Sequence, residues 1–134
     1  KAVEAFWYST YYLAKQLRRG DLWMFQRRAN HLQETIVQMM SWHAQAMRPE
    51  RDIWHQGRFM AEWADPRALE ALPRLFAHWD AADCWRSLSE MMALFRWLAR
   101  ETAGRSGYIY PDAVDERVSS LVTGLMRDAS QVCG

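Results

Sequence analysis

Apolar residues recur at intervals of three and four along most of the chain, the mark of amphipathic helices. The first run sets Phe6, Trp7, Thr10, Tyr11, Leu13, Ala14 and Leu17 on one face and predicts a helix from Ala2 to Arg19. Gly20 suits the left-handed residue that ends a helix, and Arg18 and Arg19 favour its negative end. Asp21 can cap the next helix at once. Leu22, Phe25, Ala29, Leu32, Ile36, Met39 and His43 carry that helix to Met47, which gives an antiparallel hairpin with a very short connection. Arg48 to Gly57 loses the periodicity, holds Pro49 and Gly57, and reads as a loop over the bundle. Arg58 to Trp63 is expected to form one or two helical turns.

Asp65-Pro66 is a helix start, a cap followed by proline in the first turn. A third long helix is expected from there to His78, kinked at Pro73. Asp80 caps a fourth, striped by Cys84, Leu88, Met91, Phe95, Leu98 and Thr102, which ends near Gly104 or Gly107. Gly107 to Pro111 reads as extended, because Pro111 biases Tyr110 away from helix. A fifth helix carries Val114, Val118, Leu121, Val122 and Leu125, and Ala129 to Gly134 is expected to fray. No segment alternates as a strand does. The expected fold is all-α, an up-and-down bundle of about five helices.

A length of 134 residues with 50% hydrophobic and 25% charged residues suits one domain with a true core. The charge of +1, from 17 Lys+Arg against 16 Asp+Glu, argues against a dedicated nucleic-acid binder. No apolar run approaches the length of a membrane span. Cys84 and Cys133 do not look like a disulfide framework, which points to a reducing cytoplasm. The chain begins at Lys1 rather than Met, with no signal peptide before the first helix. Residues 1–134 are therefore expected to be a single helical domain cut from a longer protein.

The chemistry-bearing residues exclude several classes. There is no C-x-x-C or H-E-x-x-H to hold a metal. His31 and His43 stand about 18 Å apart on one helix at ~1.5 Å per residue, too far to share an ion. His43 reads as a core or helix-surface residue, and His55 and His78 as exposed. Cys84 lies on a packed stripe, where thiols are usually inert. The carboxylates are scattered as caps and solvated faces. Two features stay unexplained by a plain core. Eight tryptophans are more than one small core asks for, and indoles suit interfaces and stacking pockets. Lys15 is a lone cation among the aromatics of the first helix.

Phe6-Trp7-x-x-Thr10-x-Tyr12-x-Ala14-Lys15-x-Leu17 resembles the C-terminal domain of the aminoglycoside 6-adenylyltransferases, the streptomycin-modifying nucleotidyltransferases. The resemblance continues at Met39-x-x-Trp42, Gly57-Arg58-Phe59, Trp85-x-x-Leu88, Leu94-Phe95 and Gly107-Tyr108-x-Tyr110-Pro111, so it covers residues 4–115. Each motif alone is weak; their shared order is specific. The related lincosamide nucleotidyltransferases are similar in helix architecture.

The resemblance implies a helical domain that closes the cleft of an N-terminal nucleotidyltransferase domain and helps to bind nucleotide and drug. The reaction it implies is transfer of AMP from ATP to a hydroxyl of an aminoglycoside-like antibiotic, with pyrophosphate leaving. ATP and magnesium would be held mainly by the N-terminal domain, since no Gly-Ser followed by Asp-x-Asp occurs in this chain. No catalytic residue and no metal ligand is expected here. On the resemblance, Lys15 and Arg58 are expected to contact the nucleotide. Trp7, Tyr11, Tyr12 and Trp42 are expected to wall the ligand cleft. Asp80 and Asp83, with Glu4 and Glu90 as further candidates by type, would meet a cationic drug. The segment Arg48 to Gln56 departs from the family pattern, which leaves the acceptor's identity open.

Two other functions fit the residues themselves: a free-standing non-catalytic partner of a separate minimal nucleotidyltransferase, or a general helical interaction module. Under every one of these readings, purified residues 1–134 are expected to transfer no nucleotide. Adenylylation of a drug by that polypeptide alone would contradict the assignment of catalysis to another domain.

Overall fold

The computed structural model describes residues 2–49 and 58–133. Helix α1 (Ala2–Arg18) stops at a tight turn in which Gly20 takes a left-handed φ of 78°. Only glycine adopts that conformation without a steric cost. The side chain of Asp21 then accepts a hydrogen bond from Met24 N and starts α2 (Leu22–Met47). The segment expected as a loop lies mostly outside the described residues, as do Trp54 and His55. Helix α3 (Met60–Trp63) is the short turn the sequence expects.

Asp65 caps α4 (Pro66–Ala71) by accepting from Arg67 N, with Pro66 in the first turn. The helix expected to continue to His78 does not. It tightens into a 3-10 turn over Leu72–Leu75, and Phe76 is extended with ψ 144°. Pro73 has no N–H to give, and its ring opposes a continued α-helix, so the chain ends the helix rather than kinking it. Asp80 starts α5 (Ala81–Ser106), whose C-terminal residue is followed by Gly107 at φ 80°. An extended link leads into α6 (Asp112–Cys133). The class is all-α, and the described residues contain no strand.

The helix directions follow the expected up-and-down alternation. Gln26 meets Cys84, His43 meets Glu101 and Met47 meets Arg105, each pair 58 residues apart. A constant offset means that α2 and α5 run parallel. Arg18 pairs with Asp128 at one end and Trp7 with Tyr110 at the other, so α1 and α6 are parallel too. The connection from α2 to α5 therefore climbs the length of the bundle. Its carbonyls find partners on the way: Gln33 Nε2 donates to Leu75 O, and Gln26 Nε2 donates to Ala77 O and His78 O. Arg86 donates to Arg74 O and Phe76 O. Backbone acceptors that leave regular structure are thus satisfied.

The predicted stripes meet in one core. Phe6 stacks on Phe95 with ring centroids 3.7 Å apart, and Trp7 packs edge-on against both. Leu13, Leu17, Phe25, Leu32, Ile36, Leu88, Met91 and Leu98 fill the space around them. Beside this apolar cluster sits a polar network. Trp7 Nε1 donates to Tyr110 Oη at 3.1 Å, and Tyr110 Oη donates to Asp115 Oδ2 at 2.6 Å. Arg96 grips both Asp115 oxygens at 2.8 and 2.9 Å, and Ser119 Oγ donates to Oδ1 at 2.9 Å. Burial alone pushes the Asp115 carboxyl up, but the hydrogen bonds from Arg96, Tyr110 and Ser119 outweigh it and hold it below its ordinary value. Burial, with the carboxylate beside it, pushes the Tyr110 hydroxyl well above its ordinary value.

Asp115→Ala leaves Arg96 without its partner and Tyr110 without an acceptor. Urea unfolding should show a loss of about 3–5 kcal/mol, the scale of breaking a buried ion pair. The sign of the pH effect follows from the depressed carboxyl. Its contribution is fully present above the ordinary value of 3.8 and is lost as pH falls below that through the lower folded-state value. The stability gap between wild type and Asp115→Asn should therefore narrow on acidification. A gap that stays constant down to about pH 2 would exclude the carboxylate as its source.

Candidate functional site

The face of α1 turned away from the core is unusual. Phe6, Trp7, Thr10, Leu13, Ala14 and Leu17 point inward, and the remaining positions form a ridge of Tyr8, Tyr11, Tyr12 and Lys15. Tyr8 is 60% exposed, and Tyr12 also faces solvent. Large exposed aromatics in a row mark a surface that something covers. Each of the two central tyrosines carries a cation. Lys15 Nζ lies 4.8 Å from the Tyr11 ring centre, and the Arg28 guanidinium lies 4.8 Å from that of Tyr12. Lys15 is half-buried and has no salt bridge among the described residues.

Beside the ridge, between α1 and α2, runs a groove of about 330 Å³ lined by Tyr8, Ser9, Tyr12, Arg28 and His31 over a floor of Leu13 and Leu32. That is near the lower end of small-molecule sites, about 300–1,000 Å³. Its groups are aromatic faces, hydroxyls and a guanidinium. They can stack on a planar or sugar-like group and neutralise an anion. The described residues contain no group of three His, Cys, Asp or Glu able to hold a metal ion.

The structure distributes the sequence-predicted residues unevenly. Tyr11 and Lys15 come together on the ridge, and Tyr12 borders the groove. Trp7 does not wall a cleft: it is 0% exposed and belongs to the core, because its ring faces Phe6 and Phe95 and its N–H is given to Tyr110. Trp42 is exposed on α2, about 30 Å from Leu22 at ~1.5 Å per residue, and so lies toward the other end of the bundle from Lys15. Arg58 is near that far end. Its carbonyl accepts from Trp63 Nε1, and its guanidinium lies 5.3 Å from the centre of the Phe59 ring. Phe59 has a left-handed φ of 54°, uncommon for a bulky side chain.

Asp80 and Asp83 come together at the start of α5, but their oxygens serve the turn. Asp80 Oδ2 accepts from Asp83 N at 2.9 Å. Asp83 accepts from Arg86 Nε and from His78 N, both at 2.7 Å. The Arg86 hydrogen bond, aided by the His78 N–H, holds the Asp83 carboxyl well below the usual carboxylate range. Neither aspartate lines the groove. Glu90 pairs with Arg74 at 3.3 Å.

Tyr8 and Arg28 carry no expectation from the sequence, and His31 is weighed there only as a metal ligand. The hairpin held the signal. In an antiparallel pair turning at Gly20, positions equally far from the turn face one another, which sets Tyr12 opposite Arg28 and Tyr8 opposite Leu32.

Comparison with known proteins bears on what this surface serves. The family described as Streptomycin adenylyltransferase matches residues 1–125. A crystal structure of an aminoglycoside 6-adenyltransferase from Bacillus subtilis is similar in fold, with a TM-score of 0.81 over 93% of this chain at 22% identity. The chain spans about half of that protein, 48% of its length. No curated protein matches the chain.

Helix α1 is divided into a core face and an exposed aromatic ridge. Trp7→Ala should cost about 3–5 kcal/mol of folding stability. Tyr8→Ala should stay within about 0.5 kcal/mol of wild type, as substitutions on open surface do. Chemical denaturation of both variants checks this, and a large loss for Tyr8→Ala would make the ridge structural.

Proposed function

The chain belongs to the streptomycin adenylyltransferase family, and from that premise we propose that it is a substrate- and nucleotide-binding helical domain of an adenylyltransferase. In this reading it serves the transfer of AMP from ATP to a hydroxyl of an aminoglycoside-like antibiotic, with drug resistance as the result. The partner is an N-terminal nucleotidyltransferase domain, and the setting is the cytoplasm, where ATP is present. The observation that carries the proposal is Lys15: a half-buried ammonium with no carboxylate partner among the described residues, set on an aromatic ridge.

The described residues do not fit a magnesium ion, because no cluster of acidic or imidazole groups converges. The chain's own cations do fit phosphate oxygens. ATP, when bound, supplies the adenylyl group. Lys15 then donates charge-assisted hydrogen bonds to its phosphates. Tyr11 holds the ammonium in place beneath the ligand, so little side-chain freedom is lost on binding. Arg28, held over Tyr12, adds a second positive group across the ridge. Tyr8 and Tyr12 exclude water and offer faces for stacking. Arg58 and Trp42 lie too far along the bundle to touch the same phosphates as Lys15. They face the acceptor or the partner domain instead. Asp80 and Asp83 contribute by fixing the start of α5 rather than by direct contact with a cationic drug.

In the full-length enzyme, Lys15→Ala should lower kcat/KM for ATP by an amount worth about 1–3 kcal/mol, the scale of a lost charge-assisted hydrogen bond. Lys15→Arg should recover part of it. Steady-state kinetics with saturating drug give the answer, and unchanged constants for Lys15→Ala would remove this residue from the nucleotide site.

A further inference from the structure

The groove between α1 and α2 is lined by charge of one sign. Arg28 and His31 stand on its α2 side, Tyr8 and Tyr12 stand on its α1 side, and no carboxylate lines it. Residues 5–33 hold five Lys and Arg but a single acid, Asp21, whose Oδ1 is taken by Met24 N. The next carboxylates along the chain are Glu4, one turn before Tyr8, and Glu34, one turn beyond His31, and neither is on the lining. Lys15 on the ridge and Arg27 beside Arg28 add to the positive field. The near-neutral charge of the whole chain hides this positive hairpin.

Arg28 has donors to spare. Its guanidinium lies over the Tyr12 ring, and it makes no salt bridge among the described residues. A guanidinium over a ring still presents N–H groups at its own edge, and it donates without ever accepting. His31 is exposed and adds a ring N–H in either protonation state. The floor is opposite in character, made of Leu13 and Leu32. A cavity of about 150 Å³ holds a benzene, so the groove's volume of about 330 Å³ has room for two fused rings and an attached anionic group. We propose that this groove is a binding site for a small fused-ring aromatic carboxylate, with its rings against Tyr8 and Tyr12 and its carboxylate on Arg28 and His31.

The lining separates this class from its neighbours. A cation would meet two positive groups and no acid. A neutral ring would leave the Arg28 donors without an acceptor. A bare inorganic anion would gain nothing from the leucine floor or the tyrosine faces, which reward the burial of flat apolar surface. A planar carboxylate fits the fork of a guanidinium bidentately. A triphosphate carries more negative charge than Arg28 and His31 can meet, and belongs on the ridge with Lys15. The site shares Arg28 with the nucleotide reading but does not depend on Lys15, so the failure of one is separable from the failure of the other.

The test titrates the full-length protein with 2-naphthoate and, separately, with 2-naphthylmethylammonium and with sulfate, read by isothermal titration calorimetry. The expected result is saturable binding of 2-naphthoate and none of the other two. In Arg28→Gln, naphthoate should bind about tenfold or more weakly, the worth of one hydrogen bond to a charged group. Lys15→Ala should change its affinity far less. Arg28 is exposed, so its variants are expected to fold, and circular dichroism confirms it. If Arg28→Gln does not fold, Arg28→Lys carries the test: it keeps the charge, loses the flat fork and should show an intermediate loss. Absence of saturable naphthoate binding would overturn the proposal, as would equal binding of the ammonium or of sulfate, or full affinity in folded Arg28→Gln. So would ATP that displaces naphthoate from Lys15→Ala as well as from wild type, which would make the groove part of the nucleotide's own seat.

Discussion

One carboxylate fixes the geometry on which the rest of this domain depends. Asp115 lies on α6 and is almost fully buried, yet it receives hydrogen bonds from Arg96 on α5, from Tyr110 on the link before α6 and from Ser119 one turn on. Through Tyr110 it reaches Trp7 on α1. A buried ion is tolerable only when its lone pairs are filled. Here they are filled by groups from three separate parts of the chain, so the arrangement exists only when α1, α5 and α6 are all in register. The aromatic stack of Phe6 and Phe95 supplies burial next to it, and the polar network supplies direction.

That constraint fixes the rotation of α1 about its own axis. With Trp7 bonded to Tyr110 and Phe6 against Phe95, the opposite side of the helix must present Tyr8, Tyr12 and Lys15 outward. The short turn at Gly20 then brings Arg28 over Tyr12. Core and ridge are two faces of one helix, and the residues of the ridge contribute little to the core. This is why the ridge is free to be basic and aromatic at once. The parallel placement of α2 and α5 has a second effect. It requires a long return segment, and that segment carries α3, α4 and a wall of the small cavity that His43 lines.

Much of this was legible in the residues. The periodicity of α1, α2, α5 and α6, the caps at Asp21, Asp65 and Asp80, and the stop at Gly107 all follow from local rules that operate within a few residues. The up-and-down order of helix directions followed too, because consecutive helices joined by short connections run antiparallel. An amphipathic stripe says which face is buried and not which helix covers it, so the direct contact of α2 with α5 was invisible. The end of the helix ahead of Pro73 was visible only as a kink, because sequence does not show that Gln33 and Gln26 wait to satisfy the carbonyls of Leu75 and Ala77. At the site, Lys15 stood out as a cation among aromatics. The periodicity put Trp7 on the apolar face and left Tyr8 off it; the cleft role expected of Trp7 came from the resemblance, and its burial against Phe95 and Tyr110 assigns it to the core. Arg28 was missed because its meaning comes from α1 across the turn.

The central claim is that the outward face of α1 meets the nucleotide, with the catalytic chemistry supplied from outside this chain. A crystal structure of the full-length enzyme with a non-hydrolysable ATP analogue and drug tests it most directly. The account predicts Lys15 Nζ at about 2.7–3.2 Å from a phosphate oxygen, with the tyrosine ridge covered by the ligand or the other domain. A complex in which the phosphates are held entirely elsewhere, and Lys15 still rests on Tyr11 facing water, would contradict it.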